Sequence, residues 1–246
     1  MSLRIAVAGK GGTGKTTLSA ALVRVCLETQ PGPVLAVDAD PNSNFSLYLG
    51  LAESTNLAEV REEKDVPAGM SKLEYMNLRV QECLSEGRGV DLICMGRPEG
   101  PGCYCAVNHL LRNELSKLQH GYPVVIMDNE AGMEHLSRKT TDEVDALLLV
   151  SNHSVKGIRA IARILELVSE LKLRVKKKVI IINLVPDTLD PLVAAELHRL
   201  GLKADVIIPE DKTIYRFDLE QKPLMEMPDV SPAVQAVAKM MTGLII

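Results

Sequence analysis

The sequence predicts an α/β fold: a single domain over residues 1–246, built on a mostly parallel sheet with helices on both faces. Seven short segments are apolar throughout and rich in β-branched residues, which is typical of strands that are covered on both faces. Longer segments with helical periodicity separate most of them. Hydrophobic residues make up 46% of the chain and charged residues 24%, a balance typical of a globular domain that buries a core.

The predicted strands, in chain order, cover residues 4–9, 33–40, 90–96, 122–130, 145–152, 177–185 and 204–210. The predicted helices are Lys15–Glu28, about Ser71–Glu86, Ala106–Leu118, Val155–Leu171, Leu192–Leu200 and Ala233–Met241. The polar stretch Glu53–Gly69 is expected to be a surface excursion, because the strand pattern resumes after it. Strands that alternate with helices at this spacing indicate a mostly parallel sheet.

Net charge and hydropathy argue against several function classes. The formal charge of -4 argues against nonspecific nucleic-acid binding, so we expect no nucleic-acid partner. No apolar run is long enough to span a bilayer, and the N-terminal strand lacks the pattern of a signal peptide. We therefore expect no membrane partner and a cytoplasmic location, where the five cysteines would be reduced.

A glycine-rich motif follows the first strand. Residues 9–16 read GKGGTGKT and fit the phosphate-binding pattern G-x-x-x-x-G-K-[ST] between a strand and a helix. Glycines let successive N–H groups point at phosphate oxygens, and the helix N-terminus favours an anion. Lys15 is expected to neutralise the β- and γ-phosphates, Thr16 to hold Mg²⁺ and Thr17 to lie at the α-phosphate. Further nucleotide contacts are predicted for Gly11, Gly12, Thr13 and Gly14. The alternative is a glycine turn without a ligand.

A second lysine, Lys10, lies just before the turn. By position alone it would be an ordinary solvated side chain. The stretch GKGGTGKTT, however, resembles the deviant P-loop ATPase family, which includes the nitrogenase iron protein and the ATPases that sort plasmids and place division sites. The resemblance implies a homodimer in which Lys10 reaches the partner's nucleotide. There it would stabilise transition-state charge and make ATP hydrolysis depend on dimerisation.

The same resemblance covers nearly the whole chain and implies roles for further residues. Asp40 in VDADPNSN matches the aspartate that orients the attacking water, and Asp38 would support the metal. Asp128, at the end of an apolar strand, matches the carboxylate that binds Mg²⁺ through water. Asn183 and the segment 208–216 match the parts that contact adenine. In that segment the predicted nucleotide-binding residues are Pro209, Glu210 and Asp211.

Two cysteines one residue apart, Cys103 and Cys105, follow a Pro/Gly-rich turn in GRPEGPGCYC. Within one chain they offer two thiolates, which is half of a four-thiolate metal site. A two-fold dimer would supply the other half at its symmetry axis. The alternative is a pair of reduced cysteines at the surface.

The segments GRPEGPGCYC and MDNEAGMEHLSR together resemble the accessory ATPases that insert nickel into carbon monoxide dehydrogenase and those that mature acetyl-CoA synthase. The resemblance implies Ni²⁺, or Zn²⁺, bound between subunits by Cys103 and Cys105. It also implies ATP or ADP with Mg²⁺ at the glycine-rich turn and a nickel enzyme as client. Two other classes stay open: a partitioning or scaffold ATPase with incidental cysteines, and an iron–sulfur reductase. The close cysteine spacing disfavours the reductase, since the nitrogenase iron protein's ligand cysteines lie far apart in sequence.

The other cysteines, the histidines and the methionines are expected to be packing or surface residues rather than metal ligands. Cys26 and Cys94 lie in apolar segments and are predicted core residues, whereas Cys83 is ambiguous. The histidines considered are His109, His135 and His153, of which His135 lies in a switch region. The methionines considered are Met225, Met227 and Met240.

Overall fold

The computed structural model describes residues 2–42, 44–52, 54–62, 66–96, 113, 117, 121–130 and 143–245. Its strands are β1 (Leu3–Gly9), β2 (Val34–Ala39), β3 (Leu84–Glu86), β4 (Val90–Cys94), β5 (Val124–Asn129), β6 (Glu143–Asn152), β7 (Arg174–Val185) and β8 (Val206–Pro209). Its helices are α1 (Lys15–Thr29), α2 (Phe45–Leu49), α3 (Leu57–Glu62), α4 (Lys72–Glu82), α5 (Val155–Glu170), α6 (Pro191–Arg199), α7 (Lys212–Leu219) and α8 (Pro232–Met240). A 3₁₀ turn covers Leu224–Glu226, and a π-helical turn covers Met241–Ile245.

The strands in these ranges form one sheet in the order β3-β4-β2-β5-β1-β6-β7-β8. Each neighbouring pair is parallel except β3 and β4. Alternate residues of β1 enter two separate cores: Ile5 and Val7 pack with residues of α1 and α8, and Ala6 and Ala8 pack with residues of α5 and α6. Helices therefore cover both faces, and the predicted α/β class with a mostly parallel sheet is confirmed.

Parallel pairing brings the carboxyl ends of the central strands to one edge of the sheet. Asp38 of β2 lies opposite Asp128 of β5 in the register. On the other side of β1, Asn152 of β6 lies opposite Asn183 of β7. Gly9 ends β1 between these two pairs. Polar residues from distant parts of the sequence therefore meet where open α/β sheets bind ligands.

The helix predicted over Ser71–Glu86 is wrong at its C-terminal end. Helix α4 ends at Glu82, and the next residues, Leu84–Glu86, pair antiparallel with β4. Gly89 has a φ of 78°, which allows the chain to turn back into β4. Pairing with β4 outweighs the local helical preference, which is a weak determinant of structure.

The stretch Glu53–Gly69 is also more than a surface excursion. It contains α3, which buries Leu57 and Val60. The missed signal is Asn56, whose side-chain oxygen accepts a hydrogen bond from the N–H of Glu59 at 3.0 Å and caps the helix. Helix α7 is likewise absent from the predicted elements. The helix predicted over residues 106–118 lies outside the described residues apart from positions 113 and 117.

The packing assignments are confirmed wherever the structure describes the residue. Cys26 and Cys94 are buried in the core. Cys83 is buried as well, and its thiol donates a hydrogen bond to the carbonyl of Arg79. Met227 and Met240 are core residues, and Met225 packs against the same core.

Of the three histidines considered above, His153 lies within the described residues. The ring of His153 accepts a hydrogen bond from the N–H of Asp190 at 2.7 Å, in keeping with a packing role. His109 and His135 lie outside the described residues.

Within the part of the chain that the structure describes, no helix is both long enough and apolar enough to cross a membrane.

Candidate functional site

The glycine-rich segment forms a turn between β1 and α1. Gly12 and Gly14 have φ angles of 75° and 82°, a region that residues with a Cβ rarely adopt. The hydroxyl of Thr13 donates to the carbonyl of Lys10 at 2.9 Å and closes the turn. Gly14 is the N-cap of α1, and no side chain caps the helix there. The first N–H groups of α1 are therefore free of a capping side chain, which suits an anionic ligand.

Two contacts from the neighbouring strands hold this turn in place. A Cβ at Gly9 would lie 2.2 Å from the carbonyl oxygen of Val150, so only glycine fits against β6. On the far side, the amide nitrogen of Asn183 donates to the carbonyl of Thr13 at 2.9 Å. A Cβ at Gly14 would lie 2.4 Å from that same nitrogen. The ends of β6 and β7 thus fix the shape of the turn.

Asn183 therefore has a structural role that the sequence did not predict. Its side chain is 6% exposed and braces the turn. The bracing contact joins residues 170 positions apart, so nothing local in the sequence signals it. The assignment of Asn183 to adenine stays a prediction, to which the structure adds this second role.

Lys15 brings a buried cation to the turn. Its side chain is only 7% exposed, and its amino group lies 3.5 Å from the carbonyl oxygen of Lys10. Burial lowers the pKa of Lys15, and the carboxylates of Asp128, Asp40 and Glu130 oppose that shift. Lys10 itself is exposed. One lysine thus faces the inside of the site, whereas the other faces solvent.

Asp38 and Asp128 form a buried pair of carboxyl groups. Burial raises the pKa of Asp38 to about 7, against the effect of hydrogen bonds from the N–H groups of Phe45 and Asp40. Burial likewise raises the pKa of Asp128 to about 6, against the effects of Thr16 and Lys15. Repulsion between the two carboxylates adds to the shift at Asp38. Both groups therefore hold protons more tightly than ordinary aspartates.

Asp38 uses both of its oxygens to hold the loop that follows β2. One oxygen accepts from the N–H of Asp40 at 3.0 Å, and the other accepts from the N–H of Phe45 at 2.9 Å. The side chain of Asp40 in turn accepts from the N–H and the amide nitrogen of Asn42, both at 2.9 Å. Asp38 thus fixes the start and the end of the segment that carries Asp40. The supporting role of Asp38 near Mg²⁺ stays a prediction.

Thr16 and Asp128 are the described residues best suited to a magnesium ion. The hydroxyl of Thr16 lowers the pKa of the Asp128 carboxyl group. The hydroxyl of Ser19 donates a hydrogen bond to the same carboxylate at 3.1 Å. Mg²⁺ takes oxygen ligands and is usually bound through one or two protein groups together with phosphates and water. A hydroxyl and a carboxylate beside a phosphate-binding turn fit that preference.

The segment after β8 is fastened to the body of the protein by Asp211. One of its oxygens accepts from the N–H of Thr213 at 2.8 Å and caps α7, and the other accepts from the hydroxyl of Ser231 at 2.6 Å. Burial alone would raise the pKa of Asp211, but these hydrogen bonds together lower it. The two neighbouring predicted contacts are less buried: Pro209 is half-buried, and Glu210 is exposed. In this structure Asp211 is a capping residue, and its contact with nucleotide stays a prediction.

The comparisons with known proteins agree with this geometry. The family model described as the CobQ/CobB/MinD/ParA nucleotide binding domain matches residues 5–224. The chain belongs to this family. As a member it is a nucleotide-binding P-loop ATPase of the MinD/ParA type.

Three individual proteins illustrate the relationship. The chain is 38% identical to an uncharacterized ATP-binding protein of Methanocaldococcus jannaschii, over 92% of this chain and 91% of that protein. It is 31% identical to the carbon monoxide dehydrogenase accessory protein CooC of Rhodospirillum rubrum, over 70% of this chain and 71% of that protein. The fold is similar to the septum site-determining protein MinD of Pyrococcus horikoshii, solved with Mg-ADP. That similarity has a TM-score of 0.71 at 21% identity and covers 98% of this chain and 94% of that one.

The predicted metal ligands of this P-loop ATPase, Cys103 and Cys105, lie outside the described residues. Across the residues that the structure does describe, no three His, Cys, Asp or Glu side chains are grouped in a way that could hold a metal ion. The predicted phosphate and magnesium residues, in contrast, are brought together: Lys15, Thr16 and Asp128 interact at one end of the sheet.

The burial of Asp38 predicts a pH-dependent stability. Its pKa is about 7 in the folded chain against an ordinary value of 3.8. Between these values the folded carboxyl keeps a proton that the unfolded chain releases. The free energy of unfolding should therefore fall as pH rises through this window, by up to about 1.4 kcal/mol per pH unit. Urea unfolding without Mg²⁺ or nucleotide, at pH 5 and pH 8, should show a smaller fall in Asp38→Asn. An equal fall in the variant would contradict the assignment.

The brace from Asn183 predicts a loss of stability that needs no nucleotide. Asn183→Ala leaves the carbonyl of Thr13 without its donor, which should lower the free energy of unfolding by about 1–3 kcal/mol. Asn183→Asp keeps the size of the side chain but removes the same donor, so it should also destabilise. Denaturant unfolding of the nucleotide-free protein measures both. If Asn183→Ala lost its preference for ATP over GTP at unchanged stability, adenine recognition would be its only role.

Proposed function

We propose that this protein is an ATP-dependent nickel metallochaperone. As a single-domain homodimer it would bind Ni²⁺ through Cys103 and Cys105 and insert the metal into carbon monoxide dehydrogenase or acetyl-CoA synthase. One observation carries this proposal: the Cys-x-Cys pair occurs in a P-loop ATPase that is 31% identical to a carbon monoxide dehydrogenase accessory protein. The nucleotide part of the function has independent support from the geometry of the turn.

The hydrolytic chemistry follows from the residues around the turn. The N–H groups of the turn and the cation of Lys15 bind the phosphates. Thr16 and Asp128 would hold Mg²⁺, which neutralises charge on the phosphate oxygens. Asp40 orients the attacking water from a segment that Asp38 fixes at both ends. Because hydrogen bonds to Asp38 hold the segment that carries Asp40, this group would need little reorganisation during the reaction.

Lys10 would make hydrolysis depend on a second copy of the chain. It lies on the exposed side of the turn, and Lys15 occupies the inner side. An exposed cation beside a nucleotide site is available to a facing subunit. In the homodimer it would approach the partner's phosphates and stabilise charge that develops during hydrolysis.

The two cysteines would form the cargo site. Two thiolates from each subunit complete a four-coordinate shell that neither monomer can complete alone. Ni²⁺ is the proposed cargo, and Zn²⁺ is a competitor, because thiolates bind both. Ligation requires deprotonated thiols, so metal binding should weaken as pH falls. Dimerisation and metal binding would then strengthen each other by the same factor.

A partitioning or scaffold ATPase is the second candidate. The family model that matches residues 5–224 is named for MinD and ParA proteins, so family membership supports this class as well as the first. In this case Cys103 and Cys105 would be incidental, and nucleotide would control binding to a surface or a polymer. Metal content of the purified protein separates the two: about one Ni²⁺ per dimer supports the first class, and none supports the second.

The exposed position of Lys10 predicts a dimer-specific defect. Lys10→Ala should still bind ATP, because Lys15 and the N–H groups of the turn remain. It should lose ATP-driven dimerisation and most turnover, since the cation offered to the partner is gone. Sedimentation with a non-hydrolysable ATP analogue and a phosphate-release assay measure both effects. Lys203→Ala, at another exposed lysine, is the control and should behave as wild type. Normal dimerisation and turnover in Lys10→Ala would make Lys10 an ordinary surface residue.

The cargo site predicts a separable metal defect. Cys103→Ser should lose Ni²⁺ binding and client activation while its affinity for ADP stays nearly unchanged. Titration with Ni²⁺, followed by absorbance and native mass, tests the metal, and activation of each apo client tests delivery. Cys83→Ala removes a buried thiol outside the pair and should retain nickel. Wild-type nickel affinity in Cys103→Ser would contradict the metallochaperone proposal.

A further inference from the structure

Ser19 links the phosphate-binding helix α1 to the end of β5. It follows Lys15 by four residues and Thr16 by three, so the three side chains lie on one face of the helix. The hydroxyl of Ser19 donates to Oδ1 of Asp128 at 3.1 Å. Ser19 is 0% exposed and Asp128 is 1% exposed. The bond is therefore a buried contact between two elements of the candidate site.

The hydroxyl of Ser19 is unusual for its place in a helix. A serine inside a helix commonly points to solvent or donates to the carbonyl four residues earlier, and it favours the helix less than alanine does. Ser19 has no access to solvent, and its neighbours Leu18, Ala20 and Leu22 belong to the apolar core. The helix itself gains nothing from this hydroxyl, whereas the carboxylate of Asp128 gains a donor.

This donor constrains the orientation of the Asp128 carboxylate. A carboxyl group can rotate about the bond to its Cβ, but holding Oδ1 sets the direction in which Oδ2 points. Mg²⁺ demands nearly ideal octahedral geometry, so the direction of each oxygen around it matters. Donation by a hydroxyl also stabilises the ionised carboxylate, which is the form that binds a cation.

We propose that Ser19 is a positioning residue of the magnesium site, whose hydroxyl holds the Asp128 carboxylate in the orientation that receives Mg²⁺ together with the nucleotide. Ser19 acts through Asp128 and need not touch the metal or the nucleotide. The inference rests on the phosphate and magnesium site proposed above and adds a residue to it. Removing a group that orients a metal ligand typically weakens metal binding by about 10- to 100-fold.

This role separates the metal from the nucleotide. Binding of ADP without Mg²⁺ depends on Lys15 and the N–H groups of the turn, not on the carboxylate of Asp128. The extra affinity that Mg²⁺ confers does depend on that carboxylate. Loss of the Ser19 hydroxyl should therefore weaken the effect of Mg²⁺ and leave the Mg²⁺-free affinity unchanged. A purely structural role would change both affinities.

The test is equilibrium titration with ADP, first in EDTA and then at a series of Mg²⁺ concentrations. In Ser19→Ala, the Mg²⁺ concentration that gives half of the tightening should rise about 10- to 100-fold. The affinity for ADP in EDTA should equal that of wild type. Ser19→Thr keeps the hydroxyl and should respond to Mg²⁺ as wild type does.

Ser85→Ala is the matched control. Ser85 lies on β3, is 8% exposed and donates its hydroxyl to the carbonyl of Ala52 at 2.9 Å. The variant thus removes a buried hydroxyl and its hydrogen bond away from the phosphate turn, and its response to Mg²⁺ should be that of wild type. Thermal unfolding without nucleotide checks that each variant folds. Ser19→Cys, which also lacks the hydroxyl, replaces Ser19→Ala if the latter does not fold.

Four results would overturn the inference. A wild-type Mg²⁺ response in Ser19→Ala shows that the carboxylate needs no such donor. Equal weakening with and without Mg²⁺ assigns the effect to a general structural change. A loss in Ser19→Thr as large as that in Ser19→Ala assigns it to packing. Absence of any Mg²⁺ effect in wild type would overturn the magnesium site as well, whereas the first three results overturn this inference alone.

Discussion

The charge balance of the candidate site depends on two buried carboxyl groups, those of Asp38 and Asp128. Parallel pairing of β2 and β5 places them opposite each other, and each is 1% exposed. Burial and mutual repulsion raise the pKa of Asp38, and burial is the main cause of the rise at Asp128. The cation of Lys15 opposes the rise of the Asp128 pKa. A divalent cation that arrives with an anionic phosphate would balance this site better than either ion alone.

Residues of the neighbouring strands β6 and β7 fix the shape of the glycine-rich turn between β1 and α1. Val150 of β6 leaves room only for glycine at position 9, and Asn183 of β7 holds the carbonyl of Thr13. The phosphate site therefore depends on the packing of the whole central sheet. Farther out, Asp211 ties the start of α7 to Ser231, so the segment predicted to cover adenine is anchored at its base.

The motif-based part of the site was predictable because each signal is local in sequence. Residues 9–16 are contiguous, and Asp128 ends an apolar run that is recognisable as a strand. The braces were not predictable, since the bond from Asn183 to Thr13 spans 170 residues and that from Ser19 to Asp128 spans 109. Leu84–Glu86 was misassigned for the same reason: its structure depends on pairing with β4.

Titration calorimetry of the nucleotide-free protein with ADP, with and without Mg²⁺, tests the nucleotide site most directly. If Lys15 and the pair Thr16–Asp128 form the phosphate and magnesium site, wild type should bind ADP more tightly with Mg²⁺. Lys15→Ala should bind at least about tenfold more weakly, the cost of losing a charge-assisted hydrogen bond. Equal affinity in wild type and Lys15→Ala, with no dependence on Mg²⁺, would contradict the site described for this chain.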